Sequence, residues 1–329
     1  MPVPRSCFLA RRALLAAGLA LCTPTLAAAQ ERRAPLRVLA TTAMIGDLTR
    51  CIGGGRVNLT VLMGEGVDPH LFKPTRQDVA RLLQSDLVLY SGLMLEGQMI
   101  EAIERVGGSG RRTVAVAEAL PPAALLVPEG AAGQADPHVW MDPRAWSQVA
   151  AIIAARLTES DPAGGPVFAA QLATLQAELA ALDEWALRAI ASIPAERRVL
   201  ITAHDAFGYF ARRYGIEVMG IQGLSTESEA GLRQIERLVG VLVERRIPAV
   251  FVESSVSDRN IRALVEGAMA RGHEVVVGGA LFSDAMGAPG TYEGTYPGMI
   301  DHNVTTIVRA LGGEAPERGF AGQLSVAAR

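Results

Sequence analysis

Short apolar runs alternate with helical patterns along most of this chain. In the first half, the apolar runs predict strands near residues 37–41, 58–63, 87–90 and 113–117. In the second half, they predict strands near residues 199–202, 217–220, 249–253 and 274–278. The intervening segments have apolar residues at helical spacing, which predicts helices near residues 44–52, 77–83, 98–106, 206–213, 229–244 and 259–270. Strands that alternate with helices indicate an α/β fold with parallel sheets flanked by helices.

One longer helical pattern separates the two halves. Between residues 166 and 193, apolar side chains recur every three or four positions, at Phe168, Leu172, Leu175, Leu179 and Leu182. Glycine and proline precede this stretch and Pro194 follows it, as at helix ends. The pattern predicts one amphipathic helix of about 40 Å, long enough to run along two lobes. A coiled-coil dimer is the competing interpretation, but the pattern is short for one.

These elements divide the chain into two lobes and a connection. We expect an N-terminal α/β lobe over residues 30–163, a linking helix over residues 164–194 and a C-terminal α/β lobe over residues 195–329. A length of 329 residues suits two domains better than one. Each half opens with an apolar strand that leads into a helix. An internal duplication and the ordinary start of two α/β lobes both explain this similarity.

The first 29 residues have the pattern of an export signal. Arginines precede an apolar stretch from Ala13 to Cys22 that is too short to span a bilayer, and Ala27-Ala28-Ala29 matches a small-x-small cleavage site. We therefore expect cleavage near Ala29 and a periplasmic protein. The pair Arg11-Arg12 leaves twin-arginine export open. A lipid anchor at Cys22 is the alternative, which the bulky Leu21 disfavours.

Charge and cysteine content narrow the classes of function. The formal net charge of -3 gives no indication of nucleic-acid binding. Half of the residues are hydrophobic, which is enough for two packed cores. Cys51 is the only cysteine after the signal segment, so an internal disulfide is excluded there and a small core residue is expected. We expect a monomer.

Candidate metal ligands lie in four separate segments. His70 and His138 each end an Asp-Pro-His tripeptide, His204 follows a predicted strand, and Asp284 follows the last one. Three imidazoles and one carboxylate form a complete ligand set for a borderline transition metal such as zinc. Open α/β sheets bind ligands beyond the carboxyl ends of their strands. We therefore predict that two ligands from each lobe close on a metal ion between the lobes.

Acidic neighbours are candidates for orienting the imidazoles. Asp68 and Asp136 precede His70 and His138 by two residues, and each is a candidate partner for the ring that follows. Asp205, beside His204, has two interpretations: an orienting partner or an acid early in a helix. Glu253 ends a predicted strand, and we expect a buried hydrogen-bonding group near the cleft.

The remaining histidines and two further glutamates have ordinary structural interpretations. His273 precedes a strand, and His302 falls in or at the start of the last predicted helix. Glu227 and Glu229 stand in a Ser-Thr-Glu-Ser-Glu segment that predicts a helix cap with acids in the first turn.

Six segments of the chain together resemble a known family. They are MGEGVDPH (63–70), DPHVWMD (136–142), TAHDAFGYF (202–210), FVESS (251–255), LFSDAMG (281–287) and GTYPGM (294–299). Their sequence and order are similar to those of the metal-binding solute receptors of ABC importers, the zinc- and manganese-binding proteins that include TroA. The resemblance covers essentially the whole chain after the signal segment.

The resemblance implies a function and a ligand set. It implies a receptor that carries one Zn²⁺ or Mn²⁺ per chain to a membrane permease and its ATPase. In this sequence, His70 and His138 of the N-terminal lobe and His204 and Asp284 of the C-terminal lobe match the ligand positions. The family also has a rigid helix between the lobes, which should restrict wide hinge closure. Metal release would then depend on smaller shifts.

The choice between zinc and manganese stays open at this stage. Manganese-dedicated members of the family carry a glutamate at the position of His204, and a nitrogen-rich site favours zinc. Many zinc-dedicated members have a loop rich in histidine and acids before the second ligand. Residues 121–135 occupy that position here and contain no histidine and one glutamate.

Two other classes of function compete with the receptor. A zinc hydrolase also uses histidines and a carboxylate, but catalytic zinc keeps an open water position and the chain has no His-Glu-x-x-His motif. We therefore expect no enzymatic activity. A receptor for a corrinoid or a larger metal chelate on the same architecture leaves the four matched ligands unexplained. A secondary role in adhesion also stays open.

Overall fold

The computed structural model describes residues 34–128, 133–229 and 231–325. The signal segment predicted for residues 1–29 lies outside these ranges. None of the helices within them combines the length and apolar character that a membrane span requires.

The N-terminal lobe is built on one parallel four-stranded sheet. Its strands are β1 (Leu36–Thr42), β2 (Val57–Met63), β3 (Leu87–Tyr90) and β4 (Arg112–Ala115), in the spatial order β2-β1-β3-β4. The helices of this lobe are α1 (Ala43–Gly53), α2 (Arg76–Gln84) and α3 (Ile100–Gly108). The hydrophobic strands β1 and β3 lie in the centre and are almost fully buried, as expected for a parallel sheet covered on both faces.

The C-terminal lobe repeats this alternation with two parallel strand pairs. Strand β5 (Val199–Thr202) pairs with β6 (Glu217–Gly220), and β7 (Ala249–Glu253) pairs with β8 (Val276–Leu281). The helices are α6 (Gly208–Tyr214), α7 (Leu232–Arg245) and α8 (Arg259–Ala270). Strands β5 and β7 contact each other, so the two strand pairs lie side by side. The predicted α/β class and parallel arrangement are confirmed.

Two elements of the C-terminal lobe begin later than the sequence pattern predicts. Strand β8 begins at Val276 and continues to Leu281, where the pattern predicted residues 274–278. Helix α7 begins at Leu232, so Glu227 and Glu229 precede it and the predicted cap with first-turn acids is wrong. The Glu227 carboxylate accepts a hydrogen bond from Gln98 of the other lobe. Tertiary contacts therefore hold this segment as a loop.

Three long helices lie between the sheets. They are α4 (Pro143–Ser160), α5 (Gly165–Ala191) and α9 (Tyr296–Ala310). The 27-residue α5 is the predicted linking helix, and it packs against α1 and α4 on one side and against α6 and α9 on the other. The range of α4 was not predicted, because alanine fills many of its positions and weakens the apolar pattern.

The two lobes share one hydrophobic core. The largest cluster of buried apolar residues in the described chain includes Leu89 of β3, Leu179 of α5 and Phe251 of β7. Trp146 of α4 and Tyr296 of α9, both fully buried, pack their rings 6.0 Å apart within it. Relative movement of the lobes would open this core to water, which costs free energy in proportion to the apolar area exposed.

A buried carboxylate on α5 also joins the lobes. Asp183 is 1% exposed, and it accepts hydrogen bonds from Nε (2.8 Å) and a terminal nitrogen (2.5 Å) of Arg213 and from the hydroxyl of Tyr214 (3.2 Å), both on α6. Arg144 of α4 donates to the same carboxylate at 3.1 Å. The linking helix is therefore fixed to the element that follows β5.

Replacing this carboxylate should destabilise the fold. In Asp183→Asn, the mostly buried Arg213 guanidinium loses its charged partner, so the free energy of unfolding should fall by about 3 kcal/mol. Chemical denaturation followed by circular dichroism measures this change. Glu184→Gln, at the exposed neighbouring position, is the matched control and should change stability by less than about 0.5 kcal/mol. An equal effect of both variants would contradict the role assigned to Asp183.

Candidate metal centre

The four predicted ligands lie in loops that meet between the lobes. His70 lies in the connection from β2 to α2, His138 lies just before α4, His204 follows β5, and Asp284 follows β8. Three of the four thus follow the carboxyl end of a parallel strand, where loops of an open α/β sheet converge. His138 reaches the same place from the segment between β4 and α4.

The four side chains converge on one small space. Nε2 of His70 lies 3.3 Å from Nε2 of His138 and 3.7 Å from Oδ2 of Asp284. The Asp284 carboxylate lies 3.4 Å from Nε2 of His138 through Oδ1 and 3.2 Å from Nε2 of His204 through Oδ2. Ligand atoms bound at 2.0–2.2 Å to a tetrahedral ion are about 3.3–3.6 Å apart. The observed spacing therefore fits a metal ion.

Burial makes this convergence of polar atoms unusual. His138 and His204 are fully buried, and His70 and Asp284 are 3% exposed. Within the described residues, Nε2 of His204 and both carboxylate oxygens of Asp284 are buried without a hydrogen-bond partner. Each such atom costs about 1–3 kcal/mol in a folded protein. Three of them facing one point are readily explained by a cation that they coordinate.

Carboxylates fix two of the three imidazoles from behind. The Nδ1–H group of His138 donates to Oδ1 of Asp136 at 2.7 Å, as predicted. The Nδ1–H group of His204 donates to Oε2 of Glu253 at 2.5 Å, and Oε1 of Glu253 accepts the His204 backbone N–H at 2.9 Å. These bonds leave the Nε2 lone pairs directed at the common space, as metal-binding histidines require.

Two of the candidate orienting acids, Asp68 and Asp205, do not bond to the histidine rings. Asp68 accepts the backbone N–H of His70 at 2.8 Å rather than contacting its ring, so that prediction is wrong. Asp205 does not hold the ring of His204, because Glu253 occupies that position. Glu253 is buried near the cleft, as predicted. Its contact with the ring of His204 was not predicted, because the two residues are 49 positions apart in the sequence.

The pKa values of His70, His204 and Asp284 are displaced from their usual ranges, and the two histidines shift in opposite directions. Burial lowers the pKa of His70 to about 3, although the Asp284 carboxylate opposes this shift. Burial also disfavours the charged form of His204, but the carboxylates of Glu253 and Asp284 outweigh it and hold the pKa well above its usual value. For Asp284, burial alone would raise the pKa, and the charge of His204 reverses this and lowers it. These shifts favour the charged forms of His204 and Asp284, whose Nε2 and Oδ2 atoms face each other at 3.2 Å without the geometry of a hydrogen bond.

Hydrogen bonds across the lobe interface hold the ligand loops in place. The Trp140 indole N–H donates to the carbonyl of Ser283 at 2.8 Å, which joins the His138 loop to the Asp284 loop. The Tyr209 hydroxyl donates to the carbonyl of Asp136 at 2.8 Å, and the Tyr296 hydroxyl donates to the carbonyl of Trp140 at 2.7 Å. Sequence reasoning missed these contacts, although all three aromatic residues lie inside the segments that carry the family resemblance.

The other two histidines lie outside the cluster. Nε2 of His273 lies 2.9 Å from the carbonyl oxygen of Ile247, and Nε2 of His302 lies 2.9 Å from that of Ala280. Both rings donate to backbone carbonyls, in agreement with their structural interpretation. The His302 side chain also packs against Phe282, with ring centroids 4.7 Å apart.

Comparison with known proteins gives consistent matches over most of the chain. The family described as ZnuA, the periplasmic component A of a zinc-uptake complex, matches residues 38–310. The manganese-binding lipoprotein MntA of Bacillus subtilis is 48% identical over 276 residues, which cover 84% of this chain and 90% of that protein. The zinc-binding protein TroA of Treponema pallidum is 47% identical over 274 residues, with coverages of 83% and 88%.

Solved structures agree with these sequence matches. The periplasmic zinc-binding protein TroA from Treponema pallidum superposes with a TM-score of 0.82 at 46% identity, covering 84% of this chain and 99% of that one. Fe(III)-bound YtgA from Chlamydia trachomatis superposes with a TM-score of 0.77 at 29% identity, covering 85% and 99%. The two-lobed arrangement with a long connecting helix is therefore shared.

Neutralising the acid behind His204 should change its protonation. In Glu253→Gln, the amide keeps the shape of the side chain but removes the charge that holds the pKa of His204 high, so this pKa should fall. Long-range ¹H–¹⁵N NMR of the imidazole in the metal-free protein measures the change. Glu244→Gln, at an exposed site on α7, is the control. An unchanged His204 titration in Glu253→Gln would contradict the assigned role of Glu253.

Proposed function

This chain belongs to the ZnuA family of periplasmic metal-binding receptors of ABC importers, and we propose that it captures zinc or manganese between its lobes through His70, His138, His204 and Asp284. The convergence of buried, unpartnered Nε2 and carboxylate atoms carries this proposal. The proposed ligand is cargo, held at one ion per chain and passed to the permease and ATPase of the importer. We further propose that the chain acts as a monomer, with lobes bounded as predicted at residues 30–163 and 195–329 around the linking helix.

The geometry supports carriage rather than catalysis. Four protein ligands complete a tetrahedral shell, whereas a catalytic zinc keeps a position for water. The cluster is also almost fully buried, so a substrate has little access to an ion held there. The relatives described above are named for the metals they bind, and none is named as an enzyme.

Both candidate metals fit particular features of the site. Three imidazoles favour zinc over manganese, since affinity at nitrogen-containing sites follows the general order of divalent metals. The two oxygens of Asp284 face different histidines, which permits the carboxylate to bind with both oxygens and accommodates the higher coordination number of manganese. MntA and TroA, named for manganese and zinc respectively, are almost equally similar to this chain. We therefore propose a site that binds either ion.

The proposed location is the periplasm. An export signal cleaved near Ala29 would release the receptor, whereas processing at Cys22 would anchor it to lipid. Several relatives, including MntA, are named lipoproteins, so a lipid anchor at Cys22 is the alternative to a released protein.

Metal content provides a direct test of this function. Protein exported natively and purified without chelator should contain about one zinc or manganese ion per chain, and His204→Ala should lose most of it because one of four ligands is missing. Elemental mass spectrometry measures both quantities. His302→Ala, a histidine outside the cluster, is the matched control and should keep its metal. If the unaltered protein contains neither metal and takes up neither on titration, the proposed function is wrong.

Metal affinity should depend on pH through one proton. Because the pKa of His204 is raised, metal binding at neutral pH must displace its proton, whereas His70, with a pKa of about 3, is already neutral. Affinity should fall steadily as the pH is lowered from 8 to about 5, with at least one proton released per ion. Titration calorimetry in buffers of different ionisation enthalpy counts that proton. A pH-independent affinity would contradict the assignment.

A further inference from the structure

The three imidazoles of the cluster are not held alike. Asp136 and Glu253 fix the rings of His138 and His204 through Nδ1. Within the described residues, no carboxylate does the same for the ring of His70. Its position depends on the backbone instead, since its N–H group donates to Oδ1 of Asp68 at 2.8 Å. The local fold thus gives His70 the weakest support of the three.

His70 lies in a segment without regular structure. It is in the connection between β2 and α2, at residues 64–75, which contains neither helix nor strand. Loops of this kind open at lower free energy than the elements that they connect. All four ligands lie in such loops, but among the described residues only the imidazole of His70 has no carboxylate bonded to its ring. We therefore expect an ion to gain or lose this ligand first.

One carboxylate joins this loop to the other lobe. Asp68 accepts the His70 N–H through Oδ1, and its Oδ2 accepts the hydroxyl of Thr226 from the C-terminal lobe at 2.6 Å. Thr226 is 8% exposed, so this bond is largely shielded from water. A single side chain thus connects the backbone of His70 to the opposite lobe.

A second contact brings the same two regions together. Gln98 of the N-terminal lobe donates to the carboxylate of Glu227 at 2.5 Å, one residue beyond Thr226. Both of these side chains are exposed, so water competes with their bond and its contribution is small. The loop at residues 225–227 therefore contacts the N-terminal lobe at two points. Of these two contacts, the Asp68–Thr226 bond is the one that involves a residue bonded to a ligand, His70.

We propose that Asp68 and Thr226 form an interlobe latch that holds His70 at the ion and sets the rate of metal release. The latch rests on the proposed function, because it acts on the ion that His70 binds. Asp68 and Thr226 are positioning residues that touch no ion. The bond breaks when the loops at residues 64–70 and 225–227 separate slightly, without rotation of the lobes about the shared core. Release is thereby coupled to a small displacement at the interface.

Thr226→Val tests the latch. Valine keeps the shape of threonine but cannot donate to Asp68, so the backbone of His70 loses its connection to the other lobe. Zinc should dissociate about ten-fold faster, which is the effect of losing one hydrogen bond to a charged acceptor. The association rate should change by less than about two-fold, because the four ligands are intact. Stopped-flow mixing of the zinc-loaded protein with excess chelator measures the dissociation rate.

Three further variants separate the latch from a general structural effect. Thr226→Ser retains the hydroxyl and should restore slow dissociation, whereas Thr226→Ala should match the valine variant. Gln98→Ala removes the exposed neighbouring bond and should change the dissociation rate by less than about two-fold. Thermal unfolding of the metal-free proteins should show one cooperative transition in all four variants, so that the dissociation rates are compared between folded proteins.

The outcomes distinguish the latch from the function on which it depends. A dissociation rate in Thr226→Val within about two-fold of that of the unaltered protein would overturn the latch alone. Equal acceleration in Thr226→Ser and Thr226→Val would also overturn it, because the hydroxyl would then be irrelevant. If the unaltered protein binds neither zinc nor manganese, the proposed function fails and the latch fails with it.

Discussion

The structure depends on the burial of polar atoms that have no partner within the protein. Nε2 of His204 and both oxygens of Asp284 face the same small space without a hydrogen bond. The chain cannot relieve this cost by rotating the side chains, because Glu253 and the loops around them hold the groups in position. The fold therefore maintains this cluster at the expense of stability, as expected for the proposed binding site if it is built before its ligand arrives.

Three sets of contacts hold these side chains in that arrangement. The carboxylates behind His138 and His204 orient the rings, and hydrogen bonds from Trp140 and Tyr209 cross the lobe interface beside them. Helix α5 then joins the lobes through a common hydrophobic core and through the Asp183 network. A large hinge rotation would disrupt all three sets of contacts at once. A small separation of the loops that carry Asp68 and Thr226 would leave all three intact.

The protonation of the cluster links metal capture to this rigidity. His204 and Asp284 form an ion pair, and their charges compensate one another inside a buried site. In the proposed function, an incoming divalent cation would replace the proton of His204 and pair with the same carboxylate. On this proposal, the buried Asp284 carboxylate faces a positive charge both before and after binding, and a bare carboxylate in the protein interior would be far more costly.

Local patterns in the sequence predicted much of the fold. The buried strands β1, β3, β5 and β7 are short apolar runs, and α5 has a regular apolar period. These features are visible because burial on both faces of a parallel sheet, or on one side of a helix, imposes a pattern on consecutive residues. The pattern was less informative for α4, because its many alanines weaken the contrast between apolar and polar positions. It also misplaced the start of α7, because contacts with the other lobe hold the preceding residues in a loop.

The sequence by itself determined the four candidate ligands, because imidazole and carboxylate chemistry belongs to single residues and their motifs are local. The sequence also predicted Asp136 as the partner of the His138 ring, whereas the tertiary structure alone decided the supports of His70 and His204. Glu253, rather than the adjacent Asp205, holds the ring of His204, and Asp68 contacts Thr226 instead of the ring of His70. These partners are 49 and 158 residues apart, respectively. Contacts over such separations arise only when the lobes pack together, and no pattern of neighbouring residues encodes them.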